Sequence, residues 1–132
     1  MKKNAATISV VLCFSLFLFC AAHDGVAAPD TKKIAAQAAK ELMASTPTHV
    51  LLDVRTEEEF ANGHIQGARL LPYTEITSRA SSELSDKEML IIVYCRAGRR
   101  SAIAASELAR MGYANVYDLG SIYDWPDRIV TK

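Results

Sequence analysis

The chain has 132 residues and carries 15 Lys and Arg against 15 Asp and Glu, a formal net charge of zero. With no long basic run, that balance argues against nucleic acid or an anionic membrane surface as partner. Once the leading segment is set aside, on the order of a hundred residues remain, enough for one core and too few for two domains.

Lys2 and Lys3 precede an uncharged, largely apolar run over residues 5–22, and small residues follow at Gly25, Val26, Ala27 and Ala28. This order predicts a secretory signal peptide over 1–27, leaving 28–132 as the mature domain, periplasmic or secreted. The run approaches the length of a membrane anchor, but its small-residue end favours cleavage, with no stable membrane insertion afterwards. Cys20 invites lipid attachment, yet Phe19 stands before it where a small residue is expected. Cys13 and Cys20 leave with the signal. Cys95 is then a solitary thiol in a compartment where exported proteins often pair theirs.

Residues 34–44 are rich in alanine and straight-chain helix formers, and Ile34, Ala38 and Leu42 are spaced to share one helical face. Pro47 ends the helix, and residues 49–54 read as a short buried strand with Asp53 at its carboxyl end. Thr56 followed by Glu57, Glu58 and Glu59 has the composition of a helix start, and that helix runs to Ala61 before Gly63 breaks it. Residues 68–71 suggest a small strand stopped by Pro72, and residues 74–80 a modest helix. The strongest strand signal is the apolar stretch 89–94, of the kind found where helices cover both faces of a parallel sheet. From 99 to 111 the pattern turns helical, with Ala104, Leu108 and Met111 on one side and Gly112 as terminator. Residues 115–119 read as a further strand, followed by a turn and a short helical piece around Trp125. The alternation predicts an α/β fold, a mainly parallel central sheet flanked by helices.

Cys95 therefore falls in a strand-to-helix loop at the carboxyl end of the sheet, where ligands collect in such folds. The loop continues through Arg96, Ala97, Gly98, Arg99, Arg100 and Ser101. Backbone amides at the start of a helix have no intrahelical partner and form a cradle for anions. Gly98 allows the dihedrals that a tight cradle needs, and three arginines within five residues add positive charge. Cationic side chains oppose the dipole at a helix start, so their presence points to a bound anion. A thiol in this setting loses its proton readily, and the thiolate is the nucleophile.

Leu51, Leu52, Asp53, Val54 and Arg55, then Glu58, Glu59 and Phe60, then Gly63, His64, Ile65, Gln66, Gly67 and Ala68, resemble the opening signature of the rhodanese domain family. Ile91, Ile92, Val93 and Tyr94 leading into the cysteine loop, Arg100 with Ser101, Leu108, Gly112 with Tyr113, and Leu119, Gly120 and Trp125 continue the likeness. It spans nearly all of the mature chain and is similar to small exported single-domain thiosulfate sulfurtransferases. Gln66 stands where the family usually has proline, and Ser121 where it usually has a second glycine.

The resemblance implies a sulfurtransferase. In it, the Cys95 thiolate takes the outer sulfur of thiosulfate or another sulfane-sulfur donor, sulfite leaves, and the persulfide passes to cyanide, a small thiol or a dithiol protein. It implies substrate binding by Arg96, Ala97, Gly98, Arg99 and Arg100, with Asp53, Arg55 and Ser101 in support, and neither an organic cofactor nor a metal. His64 belongs, by the same likeness, to a structural turn. His23 and His49 lack ligand-like spacing with Cys95. Two other functions are consistent with the residues. One is an oxyanion enzyme of the phosphatase or arsenate reductase type. Such enzymes resemble a Cys-x5-Arg pattern, whereas the sixth residue after Cys95 is Ser101. The other is a persulfide or redox sensor without turnover. With no second domain to cover it, the Cys95 loop is expected to be open to solvent.

Overall fold

The computed structural model describes residues 31–132, so the expected signal peptide and its cleavage point lie outside the described residues. Within them the chain runs β1 (Lys32–Lys33), α1 (Ala36–Ser45), β2 (His49–Asp53), α2 (Glu57–Asn62), β3 (His64–Ile65) and β4 (Arg69–Leu70). A 3-10 turn at Tyr73–Glu75 leads into α3 (Ile76–Glu83), then β5 (Leu90–Cys95), α4 (Arg99–Arg110) and β6 (Asn115–Ser121). A second 3-10 turn, Ile122–Asp124, precedes β7 (Ile129–Val130). The main sheet is parallel throughout, in the order β1-β6-β5-β2-β4, and β3 pairs with β7 in a separate antiparallel ribbon. Among the described residues no helix is long and apolar enough to cross a membrane.

β5 lies at the centre and is buried along its whole length, as its unbroken apolar sequence requires. Its side chains alternate: Ile91, Val93 and Cys95 join the core beneath α3 and α4, while Leu90, Ile92 and Tyr94 join the core on the opposite face with Ala39 of α1. Burying each such side chain stabilises the fold by roughly 1.5–3 kcal/mol, so the strand that carries the thiol is anchored in both cores. Tyr113 locks α3 from behind, its hydroxyl lying 2.9 Å from the Ala80 carbonyl and 2.7 Å from that of Leu84 at the helix end.

Several elements differ from the sequence expectation. α1 begins at Ala36, so Ile34 stands in the extended lead-in; Ala39 is buried and Ala38 exposed, shifting the expected face by one residue. Residues 74–80 divide into the 3-10 turn and α3, because Pro72 forces an extended entry before the helix can close its first turn. The helical piece lies at Ile122–Asp124, with Trp125 already extended beyond it. β1, β3 and β7 are two residues each, too short to show a period. β1 is an exposed lysine pair at the sheet edge, a placement that discourages pairing with another chain.

Candidate functional site

Cys95 ends β5, and α4 starts at Arg99 after three intervening residues. The turn between them rests on Gly98, which caps α4 in the left-handed region at φ 93°. A Cβ there would meet only ordinary contacts with Gly120, so the dihedral, rather than lack of space, selects glycine. This geometry folds the Gly98 amide back to donate to the Cys95 sulfur at 3.0 Å.

β6 contributes a bulge beneath the same point. Val93 pairs with Asp118 but Tyr94 pairs with Gly120, so Leu119 is an extra residue and the register resumes with Cys95 opposite Ser121. The Asp118 carboxylate accepts from the Gly120 amide at 3.0 Å and so shapes the turn that backs onto Gly98.

The thiol's environment has two opposing parts. Burial pushes the Cys95 pKa up; the Ser101 hydroxyl and the backbone amides of Ser101, Gly98 and Ala97 more than reverse this, and the pKa lies below that of an ordinary cysteine. Ser101 is fully buried, and its hydroxyl also reaches the Gly98 carbonyl at 3.0 Å and that of Gly120 at 3.5 Å. One proton serves one acceptor at a time, so a thiolate competes with two carbonyls for the Ser101 proton.

The expectation of an open loop is corrected in part. Arg96, Ala97 and Arg99 are exposed, but Cys95 itself is 1% exposed, because its side chain points from the strand end into the core under α4. The three arginines are not equivalent. Arg100 makes a two-pronged ion pair with Glu59 at the start of α2, at 2.7 and 2.8 Å, and is still close enough to feel the charge of Cys95. Arg96 donates through Nε to the Tyr123 hydroxyl at 3.1 Å. Among the described residues Arg99 has no hydrogen-bond or ion-pair partner through its side chain.

Asp53 and Arg55 pair beside this loop. The Arg55 guanidinium donates to the Asp53 carboxylate at 2.7–3.1 Å and to the Gly63 carbonyl at 2.6 Å, with Asp53 fully buried and Arg55 nearly so. The pair fastens the end of β2 to the end of α2. His64 opens β3 just after, stacked on Phe60 at 3.7 Å between ring centroids, with Nδ1 2.8 Å from the Phe60 carbonyl. It is occupied by local structure.

Glu59, Ser121 and Tyr123 belong to the site although the sequence did not mark them for it. The Thr56 to Glu59 spacing signals a capping box, which α2 has, but says nothing of Arg100, 41 residues away. Ser121 carries a faint signal as a departure from glycine. Tyr123 carries none, and is 71% exposed.

The family model described as Rhodanese-like domain matches residues 35–127. Thiosulfate sulfurtransferase PspE of Escherichia coli is 38% identical over 73 residues, 55% of this chain and 70% of that protein. Protein HIGH ARSENIC CONTENT 1, mitochondrial, of Arabidopsis thaliana is 34% identical over 90 residues, 60% of this chain and 53% of that protein. A solved structure described as rhodanese with anions from E. coli aligns at a TM-score of 0.60 and 34% identity, covering 64% of this chain and 99% of that one. Further relatives are named sulfurtransferases.

Proposed function

This chain belongs to the rhodanese-like domain family, and from that premise we propose that it is a thiosulfate sulfurtransferase working through a persulfide on Cys95. The relatives named sulfurtransferases support the reaction class. The observation that carries the reading is a buried sulfur at the end of the central strand that accepts from the Gly98 amide at 3.0 Å, with the Ser101 hydroxyl and the Ser101 and Ala97 amides near enough to hold its pKa below that of an ordinary cysteine. They stabilise negative charge there, first on the thiolate and then on the persulfide.

In the proposed reaction the Cys95 thiolate attacks the outer sulfur of thiosulfate, the bond between the two donor sulfurs breaks, and sulfite leaves with the electron pair. Loop amides and Arg99, whose charge is uncommitted, hold the sulfonate oxygens. Arg100 is tied to Glu59 and acts through its charge, and Arg96 borders the space beside the loop. Asp53 and Arg55 hold the neighbouring backbone. A thiol then removes the outer sulfur and returns Cys95 to the thiolate. The basic pair Lys2 and Lys3 and the uncharged run behind it support export, with cleavage after Ala27.

Intact-mass analysis before and after thiosulfate, with sulfite assayed in parallel and Cys95→Ser as control, tests the reading. A gain of one sulfur atom that requires Cys95 and matches the sulfite released is the expected result. An unchanged mass on a reduced, folded protein would refute it. The relative named for arsenic content favours arsenate as the alternative to assay, and arsenate reduction without sulfur loading would move the function there.

A further inference from the structure

Beside the cysteine loop lies a groove of about 420 Å³ between α2, the loop and the Ile122–Asp124 turn. At about 10–15 Å³ of such space for each water-sized atom, the five heavy atoms of thiosulfate need roughly 50–75 Å³, so the groove exceeds what the donor needs. Its charged lining groups are Arg55, Glu59 and Arg96. Arg55 is neutralised by Asp53, and Glu59 by Arg100. Arg96 has no carboxylate partner among the described residues, so the groove presents one uncompensated positive charge.

That charge is held in place at both ends of its residue. Ser121 Oγ donates to the Arg96 carbonyl at 2.7 Å and accepts from the Tyr123 amide at 3.1 Å. The Tyr123 hydroxyl accepts from Arg96 Nε at 3.1 Å. Among the described residues only Nε has a partner; the two terminal nitrogens remain as a planar fork that fits a carboxylate. Ile122 and Ile129 supply an apolar wall suited to a short methylene stem.

We propose that this groove is the acceptor subsite, taking a small thiol that carries a carboxylate, with Arg96 binding the carboxylate and Tyr123 and Ser121 acting as positioning residues. The inference rests on the sulfurtransferase reading and names its second substrate. In the step served, the acceptor thiolate attacks the outer sulfur of the Cys95 persulfide. The bond from that sulfur to Cys95 breaks, its electron pair returns to Cys95 as thiolate, and the acceptor leaves as its own persulfide. No oxidant is consumed.

The test compares 3-mercaptopropionate with 2-mercaptoethanol as acceptors for sulfur-loaded protein, as a ratio of kcat/KM within each variant, so that defects in loading or folding cancel. Arg96→Gln is expected to lower that ratio roughly fivefold, the scale of a partly exposed ion pair, through the KM for the carboxylated thiol. Tyr123→Phe is expected to lower it by less, in the same parameter. A ratio unchanged in Arg96→Gln overturns the proposal. Should the protein fail to load sulfur, the functional reading falls by itself, and the subsite is read by titrating 3-mercaptopropionate while following the Arg96 Nε–H resonance. A saturable shift that is lost on raising salt supports the subsite, and no shift overturns it.

Discussion

Glu59→Gln tests whether the cysteine loop is held by charge. The Glu59 carboxylate accepts two hydrogen bonds from Arg100, with both side chains about three-quarters buried. The Arg100 hydrogen bond is the main reason that the Glu59 pKa falls from an ordinary 4.5 to about 2. A fall of that size corresponds to roughly 3 kcal/mol as a ceiling, and screening by water at a partly exposed site reduces it to about 1–2 kcal/mol. Glutamine keeps the size of the side chain and can still serve the capping box with Thr56, so the substitution isolates the ion pair. Because the folded pKa is depressed, the contribution is complete above pH 4.5 and is lost as pH falls toward 2. Urea unfolding of wild type and variant, followed by Trp125 fluorescence between pH about 7 and about 2.5, is therefore expected to show a gap of about 1–2 kcal/mol that closes with acid. A gap that stays constant with pH, or none at neutral pH, refutes the argument.

Ser101→Ala removes a donor to the thiolate, so the Cys95 pKa is expected to rise. Alkylation by iodoacetamide then slows at neutral pH and recovers at alkaline pH; an inflection that stays put or moves to lower pH counts against the assignment. Arg55→Ala leaves the fully buried Asp53 carboxylate without its ion-pair partner and is expected to cost about 3–5 kcal/mol in urea unfolding. A loss below about 1 kcal/mol would mean that water or a rearranged neighbour replaces the guanidinium.

The parts of the site legible in the sequence are those made by neighbours in the chain. The apolar stretch ending in Tyr94, Cys95 at its end and Gly98 before a helical pattern fix strand, loop and helix because each signal is local. Asp53 and Arg55, two residues apart, are also close enough for their pairing to be anticipated. The pairing of Arg100 with Glu59 joins residues 41 apart, and no local pattern separates an arginine held by a distant carboxylate from one left free for substrate. The bulge at Leu119 is hidden for a different reason. An extra residue leaves the apolar character of β6 intact and changes only which partner each residue faces, information that lies in β5. Tyr123 carries no signal in the sequence because a single exposed aromatic is ordinary, and its place in the site comes from the hydrogen bond to Arg96.

The burial of Cys95 bears directly on how a transferred sulfur could reach an acceptor. At 1% exposure the cysteine is closed to a bulky reagent, which by itself conflicts with delivery to a second substrate. The proposed intermediate removes the conflict. A persulfide adds a sulfur about 2 Å beyond Sγ, and it is this outer atom that the acceptor attacks. Sγ already accepts from the Gly98 amide at 3.0 Å, so in the proposed intermediate the added sulfur lies beside a loop whose Arg96, Ala97 and Arg99 are exposed. On the proposed reading, the leaving sulfur of Cys95 stays buried while the sulfur in transit lies nearer the rim. It follows that alkylating agents should discriminate between the two states, with the loaded protein reacting at its outer sulfur faster than the unloaded protein reacts at Cys95, and with bulk in the reagent widening the difference.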